Sequence, residues 1–117
     1  MIYPLTPYSV SKVPAKIGVY CLGYIENKKF VVRYVGRDDV DIQRRLKEHI
    51  TAIKGNDEPL YTHFKYLVCS TADEAYRLEC KAYHSNRLEI DNKIHPAKPE
   101  NDKNAHCPNS ACPYHLQ

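Results

Sequence analysis

Two strand-like segments separated by a short polar stretch constrain the fold of this chain most. Residues 17–25 and 30–35 are rich in β-branched and aromatic side chains, and Glu26-Asn27-Lys28-Lys29 lies between them, which predicts a β-hairpin. Tyr20 and Tyr34 are fourteen positions apart. Because strand residues alternate between the two faces of a sheet, these tyrosines share a face only if the loop has an odd number of residues or a strand contains a bulge. We predict such an irregularity, which would bring the two phenols close together.

Two helices and a third strand are predicted after the hairpin. Asp41 is a good N-cap, and apolar residues recur at helical spacing until Gly55, so we expect a helix over 41–54. Residues 63–70 alternate as a third strand. Thr71 and Glu74 form a capping box that begins a second helix, which extends to about residue 90. Its buried stripe is predicted to consist of Ala72, Ala75, Leu78 and Ala82.

The two ends of the chain differ in composition from the middle. Residues 1–16 contain three prolines, which predicts an extended or looped arm outside the core. After Ile94, prolines recur among polar residues, cysteines and histidines, and this tail cannot form a hydrophobic core of its own. With 117 residues the chain has room for one domain. We therefore expect an arm (1–16), a folded domain (17–101) and a Cys/His/Pro-rich tail (102–117).

The predicted fold class is a small α/β (α+β) domain with β-β-α-β-α order, in which a three-stranded antiparallel sheet is flanked by helices. Hydrophobic residues make up 43% of the chain and charged residues 26%, which argues for a globular protein and against disorder. The sequence has neither a secretory signal pattern nor an apolar run of the roughly 20 residues that a membrane helix needs. We expect a cytoplasmic protein with no membrane partner.

The charge is distributed unevenly along the chain. Residues 1–54 carry ten Lys/Arg and five Asp/Glu, whereas residues 55–117 carry seven and nine. A basic front half suits a polyanionic partner, because each neutralised phosphate releases condensed counterions. The alternative is ordinary solubilising surface charge.

Five separated motifs together resemble the GIY-YIG nuclease superfamily. The motifs are Gly18-Val19-Tyr20, Tyr34-Val35-Gly36-Arg37, Arg45-Leu46, His49 and Glu79, and the resemblance covers about residues 14–101. It implies a metal-dependent endonuclease that hydrolyses phosphodiester bonds in DNA with one Mg²⁺ or Mn²⁺ ion. RNA is the open alternative as substrate. A lone nuclease of this kind could form a homodimer to cut both strands.

The resemblance assigns the catalytic residues as Tyr20, Tyr34, Arg45, His49 and Glu79. Glu79 borders the apolar stripe of the second helix, where a carboxylate needs a partner. The resemblance makes it the Mg²⁺ ligand, and an interhelical salt bridge is the structural alternative.

Helical register separates Arg45 from its neighbour Arg44. Arg45 shares a face with Leu46 and His49 and would stabilise charge on the phosphate, whereas Arg44 is about 100° away around the helix and at most contacts backbone phosphate. His49, four residues after Arg45, could orient the nucleophile, although a lone helical His is more often structural.

The tyrosines are expected to place the attacking water, with Tyr20 as its activator and Tyr34 as a positioner. Aromatic packing in the core is the alternative for both. Substrate binding is assigned to Gly36, Arg37, Arg44 and Asn101. Arg37 departs from the family, which often has Lys or a Gln-like residue there, and its guanidinium cannot act as an acid or base. Asn101 is preferred over Asn92 because prolines precede it.

The tail suggests a second metal. Cys107, Cys112 and His115 supply three candidate ligands, and His95 or His106 could complete a tetrahedral structural zinc site. A flexible tail or a disulfide between Cys107 and Cys112 is the alternative. Two rival functions accompany the nuclease hypothesis: a module of the same fold that binds nucleic acid without cutting it, and a zinc-stabilised interaction protein.

Overall fold

The computed structural model describes residues 1–100, 102 and 105–116 of the chain. The predicted substrate residue Asn101 lies outside the described residues. In chain order the elements are β1 (Tyr3–Pro4), α1 (Pro7–Val10), β2 (Gly18–Glu26), β3 (Lys29–Asp38), α2 (Ile42–Lys54), β4 (His63–Val68), α3 (Ala72–Asn86) and a 3₁₀ helix (Pro113–Leu116). No helix in the described part of the chain is long and apolar enough to span a membrane.

The mixed α/β class with an antiparallel sheet is confirmed, but the expected number of strands is wrong, and the expected β-β-α-β-α order is preceded by an additional strand and a short helix. The sheet has four strands in the order β1-β4-β2-β3, and the additional strand β1 pairs Tyr3 with Phe64 at one edge. The expected arm is also part of the core, because Val10 and Val13 are buried against α2 and the sheet. Thr6 caps α1 by accepting a hydrogen bond from the Ser9 amide, so the prolines that favoured a loop instead flank a short helix that begins at Pro7.

The hairpin contains the irregularity that the tyrosine spacing requires. Its turn is tight, with Asn27 and Lys28 both at positive φ between the paired residues Glu26 and Lys29. The register then shifts: Gly23 pairs with Val32, whereas Leu22 pairs with Tyr34. One extra residue, Arg33, is therefore bulged out of β3. Tyr34 consequently lies on the same face as Leu22 and Tyr20, as predicted.

The helices α2 and α3 lie on opposite faces of the sheet. Tyr20 and Leu22 of β2 pack with Leu46 of α2, whereas the neighbouring Val19 packs with Ala75 of α3, and neighbouring strand residues point to opposite faces. The α2 boundaries agree with the prediction, since α2 follows its Asp41 cap and ends at Lys54, before its C-cap Gly55.

The helix α3 is capped by Thr71 as predicted, but it ends at Asn86, before the expected residue 90. Its buried face also differs from the predicted stripe. Only Ala75 of that stripe is fully buried, and the buried face consists of Ala75, Tyr76, Glu79, Cys80 and Tyr83.

The C-terminal tail explains the shifted face of α3. Ala105, Cys107 and Cys112 form a small hydrophobic cluster with Tyr76 and Cys80 of that helix. Through these described residues, the tail covers one side of α3.

Candidate functional site

Six of the predicted site residues line a single cavity of about 340 Å³ beside the second half of β3. They come from both strands of the hairpin and from both long helices. The six are Tyr20, Tyr34, Gly36, Arg37, Arg45 and Glu79, and Asp38, Asp39 and Ala97 complete the lining. The fold thus gathers six predicted site residues that are up to 59 positions apart in sequence.

Gly36 is required by the close approach of a tyrosine ring. Gly36 pairs with Tyr20 across the hairpin, and a Cβ atom at position 36 would lie 2.5 Å from Cζ and Oη of Tyr20. Gly18 has a similar role, because a Cβ there would lie 2.6 Å from the Leu67 carbonyl oxygen and 2.9 Å from Ile42 Cδ1. The motif glycines therefore let side chains and backbone approach closely. Gly36 lines the cavity, but its observed role is steric.

Tyr20 is the first member of a chain of three hydrogen-bonded side chains. Its hydroxyl lies 2.7 Å from His49 Nε2, and His49 Nδ1 lies 2.7 Å from Glu58 Oε2. Because a carboxylate only accepts, the proton of a neutral His49 belongs on Nδ1, where it donates to Glu58. Nε2 then accepts the hydrogen bond that the Tyr20 hydroxyl donates. This arrangement gives Tyr20 an acceptor for its proton.

Burial governs the protonation of this chain. Tyr20 and His49 are each 1% exposed. Burial raises the pKa of Tyr20 well above its usual value, although the Arg45 charge opposes the rise. Burial likewise lowers the pKa of His49, while its hydrogen bond to Glu58 opposes the fall. At neutral pH the resting state is therefore a neutral phenol beside a neutral imidazole.

Tyr34 packs against both of these rings. Its ring centroid is 6.5 Å from that of Tyr20 and 5.1 Å from that of His49. Burial raises the pKa of Tyr34, and the charge of Arg45 opposes the rise. Tyr34 is only half-buried, so its protonated hydroxyl suits hydrogen bonding at the cavity.

The two neighbouring arginines of α2 have different surroundings, as the helical register predicts. Arg45 lines the cavity, and its Nη1 is 3.1 Å from Glu48 Oε1. The Arg44 side chain is 58% exposed, is not part of the cavity lining, and forms ion pairs with Asp38 at 3.1 Å and Glu48 at 2.8 Å. Only Arg45 can reach a group bound in the cavity without leaving its present position.

Arg37 links the predicted metal ligand to a second carboxylate. Its Nη1 is 2.6 Å from Glu79 Oε1, and its Nε is 2.8 Å from Asp39 Oδ1. The guanidinium also lies 5.2 Å from the ring centroid of Tyr76, a cation–π distance. Glu79 therefore does form a salt bridge, but its partner is on strand β3 and not, as the structural alternative had it, on another helix.

Glu79 retains the properties of a cation ligand despite this ion pair. It is 8% exposed, and burial raises its pKa to about 6, while Arg37 opposes the rise and Asp39 adds to it. Glu79 and Asp39 both offer hard oxygen donors, which suit Mg²⁺ or Mn²⁺. Since Arg37 contacts Oε1, an incoming cation would bind through Oε2 or displace the guanidinium. The donor set fits a divalent cation that competes with Arg37.

Asn92, which was ranked below Asn101 as a site residue, has a clear structural role. Its side chain accepts a hydrogen bond from the Val35 amide at 2.9 Å and donates one to the Val35 carbonyl at 2.7 Å. The preceding residue, Asp91, forms a 2.7 Å ion pair with the bulged Arg33. Residues 91 and 92 therefore cover the outer edge of β3 next to the cavity.

Four side chains near the C-terminus could hold a metal ion. They are His84, His95, Cys107 and Cys112, and their ligand atoms all lie within 4.8 Å of one another. Three of the four were predicted, but the fourth ligand position belongs to His84 of α3. His106 and His115 are outside this group, because the ring of His106 lies against that of His115 and His115 Nδ1 donates to the Cys107 carbonyl. Cys107 and Cys112 are free thiols.

Sequence reasoning missed Glu58, Asp39 and His84. Glu58 lies in the loop after α2, and no spacing rule connects it to His49. Asp39 follows the motif closely enough that its charge beside Arg37 could have been noticed. His84 lies on α3 one turn after Cys80, and a search for His on the helix that the tail covers could have found it.

A scan against models of protein families, a search of curated proteins and a search of solved structures each find no match to this chain.

Proposed function

We propose that this protein is a GIY-YIG-type endonuclease that hydrolyses phosphodiester bonds in DNA with the help of a divalent metal ion. The observation that carries the proposal is the cavity lined by Tyr20, Tyr34, Arg45 and Glu79. These residues were selected from sequence motifs alone, and chance would scatter them over the surface. DNA is the proposed substrate, RNA the less favoured one, and a homodimer would provide one cavity for each strand of a duplex.

Glu79 is the residue that would hold Mg²⁺ or Mn²⁺, and Asp39 is the second carboxylate within reach of the same guanidinium. When bound, the ion supplies positive charge that stabilises the phosphate oxygens as charge builds up during hydrolysis. Glu79 must be ionised for this role. Arg37 would serve as the resting counter-ion of Glu79 and would be free to contact a substrate phosphate once a cation replaces it.

Tyr20 is the proposed activator of the attacking water. Its hydroxyl proton already points to His49 Nε2, so an oxygen lone pair of Tyr20 is available to accept a proton from water while His49 takes the phenol proton. Glu58 stabilises the imidazolium that this transfer creates, because it accepts the hydrogen bond from Nδ1. Tyr20, whose pKa is raised, thus need not become a phenolate before it accepts the proton of the water.

Arg45 and Tyr34 would bind the phosphate. The guanidinium of Arg45 presents several donors to the cavity and matches the geometry of phosphate oxygens. The half-buried hydroxyl of Tyr34 can donate a hydrogen bond to the water or to a phosphate oxygen. The separate Cys/His group that could hold a metal ion shares no residue with the cavity.

The Arg37–Glu79 ion pair favours one alternative, a module that binds DNA without cutting it. If a cation cannot displace Arg37, the cavity keeps its basic groups but lacks the metal. A supercoiled-plasmid nicking assay with Mg²⁺ or Mn²⁺ distinguishes the two functions. The wild type is expected to nick the plasmid, and Glu79→Ala is expected to lose activity by about 10²-fold or more.

Glu74→Ala is the matched control, because Glu74 is an exposed acid on the same helix whose carboxylate accepts a hydrogen bond from the Ser70 amide near the helix start. It should retain activity within a few-fold. Wild type that binds DNA without nicking it would establish the binding module. Equal nicking by wild type and Glu79→Ala would refute the proposed active site.

A further inference from the structure

We propose that His84, His95, Cys107 and Cys112 bind one structural Zn²⁺ ion that fastens the C-terminal tail to α3. The four ligand atoms lie within 4.8 Å of one another. In a tetrahedral site with Zn–N near 2.0 Å and Zn–S near 2.3 Å, ligand atoms are separated by about 3.3–3.8 Å. The Cys107 Sγ to His84 Nε2 distance is already 3.3 Å, so the group needs only a small contraction to close around an ion.

His95 is prepared as a ligand by its second ring nitrogen. Its Nδ1 lies 2.9 Å from the Pro96 carbonyl oxygen, which can only accept, so the proton belongs on Nδ1. Nε2 then carries a lone pair, and this atom is buried without a hydrogen-bond partner among the described residues. A buried acceptor without a partner is unfavourable, and a metal ion satisfies it. Metal-bound histidines commonly have such a carbonyl partner on the other nitrogen.

The ligand types select zinc over magnesium. Two thiolates and two imidazoles are softer donors than Mg²⁺ accepts, and they match the Cys₂His₂ set of structural zinc sites. Two thiolates also neutralise the charge of Zn²⁺, which suits the buried positions of Cys107 and Cys112. With four protein ligands, no coordination position remains for substrate. The site is therefore structural.

The metal would supply stability that the tail lacks. Of its described residues, the tail contributes Ala105, Cys107 and Cys112 to its cluster with α3, which is little apolar surface to hold a segment of this length. A zinc ion would join three parts of the chain: α3 through His84, the segment after α3 through His95, and the tail through both cysteines. Tyr76 lies in this cluster, and its ring also lies against the guanidinium of Arg37. Tyr76 therefore lies next to both the zinc site and a residue that lines the cavity.

Zinc content and Co²⁺ spectroscopy test this proposal without any measure of nuclease activity. Untagged protein purified under reducing conditions is expected to contain about one zinc per chain. Replacing zinc with Co²⁺ should give the visible bands of a tetrahedral site together with thiolate-to-metal charge-transfer bands. His84→Ala and Cys112→Ser should lose most of the zinc.

His106→Ala is the matched control, because His106 is a tail histidine outside the group and should leave the zinc content unchanged. The Co²⁺ titration of metal-free wild type decides the matter even if a ligand variant fails to fold. Wild type that takes up neither Zn²⁺ nor Co²⁺, or that forms a Cys107–Cys112 disulfide under these conditions, would overturn the proposal. Loss of zinc in His106→Ala with retention in His84→Ala would overturn the ligand assignment.

Discussion

At the scale of single residues, Arg37 determines the balance of charge in the cavity. Its guanidinium lies between Glu79 and Asp39, so it keeps two acids close together. Glu79 is nevertheless destabilised as an anion, because burial raises its pKa to about 6. An acid with a raised pKa in the folded state makes the protein more stable as the pH falls.

This sign leads to a stability prediction for Glu79. The pKa of Glu79 is near 4.5 in the unfolded chain and about 6 in the folded protein. The contribution of Glu79 to the free energy of unfolding therefore increases by about 2 kcal/mol as the pH falls from 7 to 4.5. The free energy of unfolding of wild type, measured by denaturant titration, should therefore rise over this range relative to Glu79→Gln. A difference between the two proteins that stays constant with pH would show that the pKa of Glu79 is not raised.

Single residues also mark the limit of what the sequence reveals. Register on α2 correctly separated Arg45 from Arg44, because helix geometry is local and periodic. The partners Glu58 and His84 could not be identified in this way, because their positions depend on how a loop and a tail fold back on the chain. Local periodicity contains no information about such contacts.

The edge strand β3 is the element on which the cavity depends most. It supplies Tyr34, Gly36 and Arg37, and its outer side would be unpaired without residues 91 and 92. The bulge at Arg33 could be predicted from the parity of the tyrosine spacing. The ion pair and hydrogen bonds that Asp91 and Asn92 form with β3 could not be predicted. A single Asn in a polar segment has no distinctive sequence pattern.

Asn92→Ala is expected to loosen β3. It removes two hydrogen bonds to Val35, which corresponds to about 1–3 kcal/mol of unfolding free energy. Hydrogen exchange at the Val35 amide should also accelerate. Asn86→Ala is the control, because it removes one hydrogen bond, to the Ala82 carbonyl, near the end of α3. Unchanged exchange at Val35 in Asn92→Ala would show that this side chain does not hold the strand.

The remaining elements show why prediction succeeded unevenly. The two long helices and three of the four strands have clear periodicity, and both helices have N-cap signals, so these elements were found with correct helix starts, although α3 ends before the predicted residue 90. The strand β1 is two residues long, which is too short for any periodic signal. It exists because the neighbouring segment packs Val10 and Val13 into the core.

The whole molecule combines two chemically distinct regions, each of which includes a residue of α3, Glu79 in one and His84 in the other. One is a cavity with hard oxygen donors and arginines, and the other is a Cys/His group that joins the tail to the helix. The main core, built from α1, α2 and the sheet, contains no residue of the Cys/His group. If this group binds zinc as proposed, we expect removal of the ion to release the tail while the sheet and α2 remain folded.

The measurement that tests the central claim most directly is the Mg²⁺-dependent rate of plasmid nicking by Arg45→Ala and Arg44→Ala. Both variants lose one positive charge from the same turn of α2, but only Arg45 lines the cavity. We predict that Arg45→Ala slows nicking by about 10²- to 10³-fold, whereas Arg44→Ala remains within a few-fold of wild type. Equal losses in the two variants, or no nicking by wild type, would contradict the assignment of this cavity as a nuclease active site.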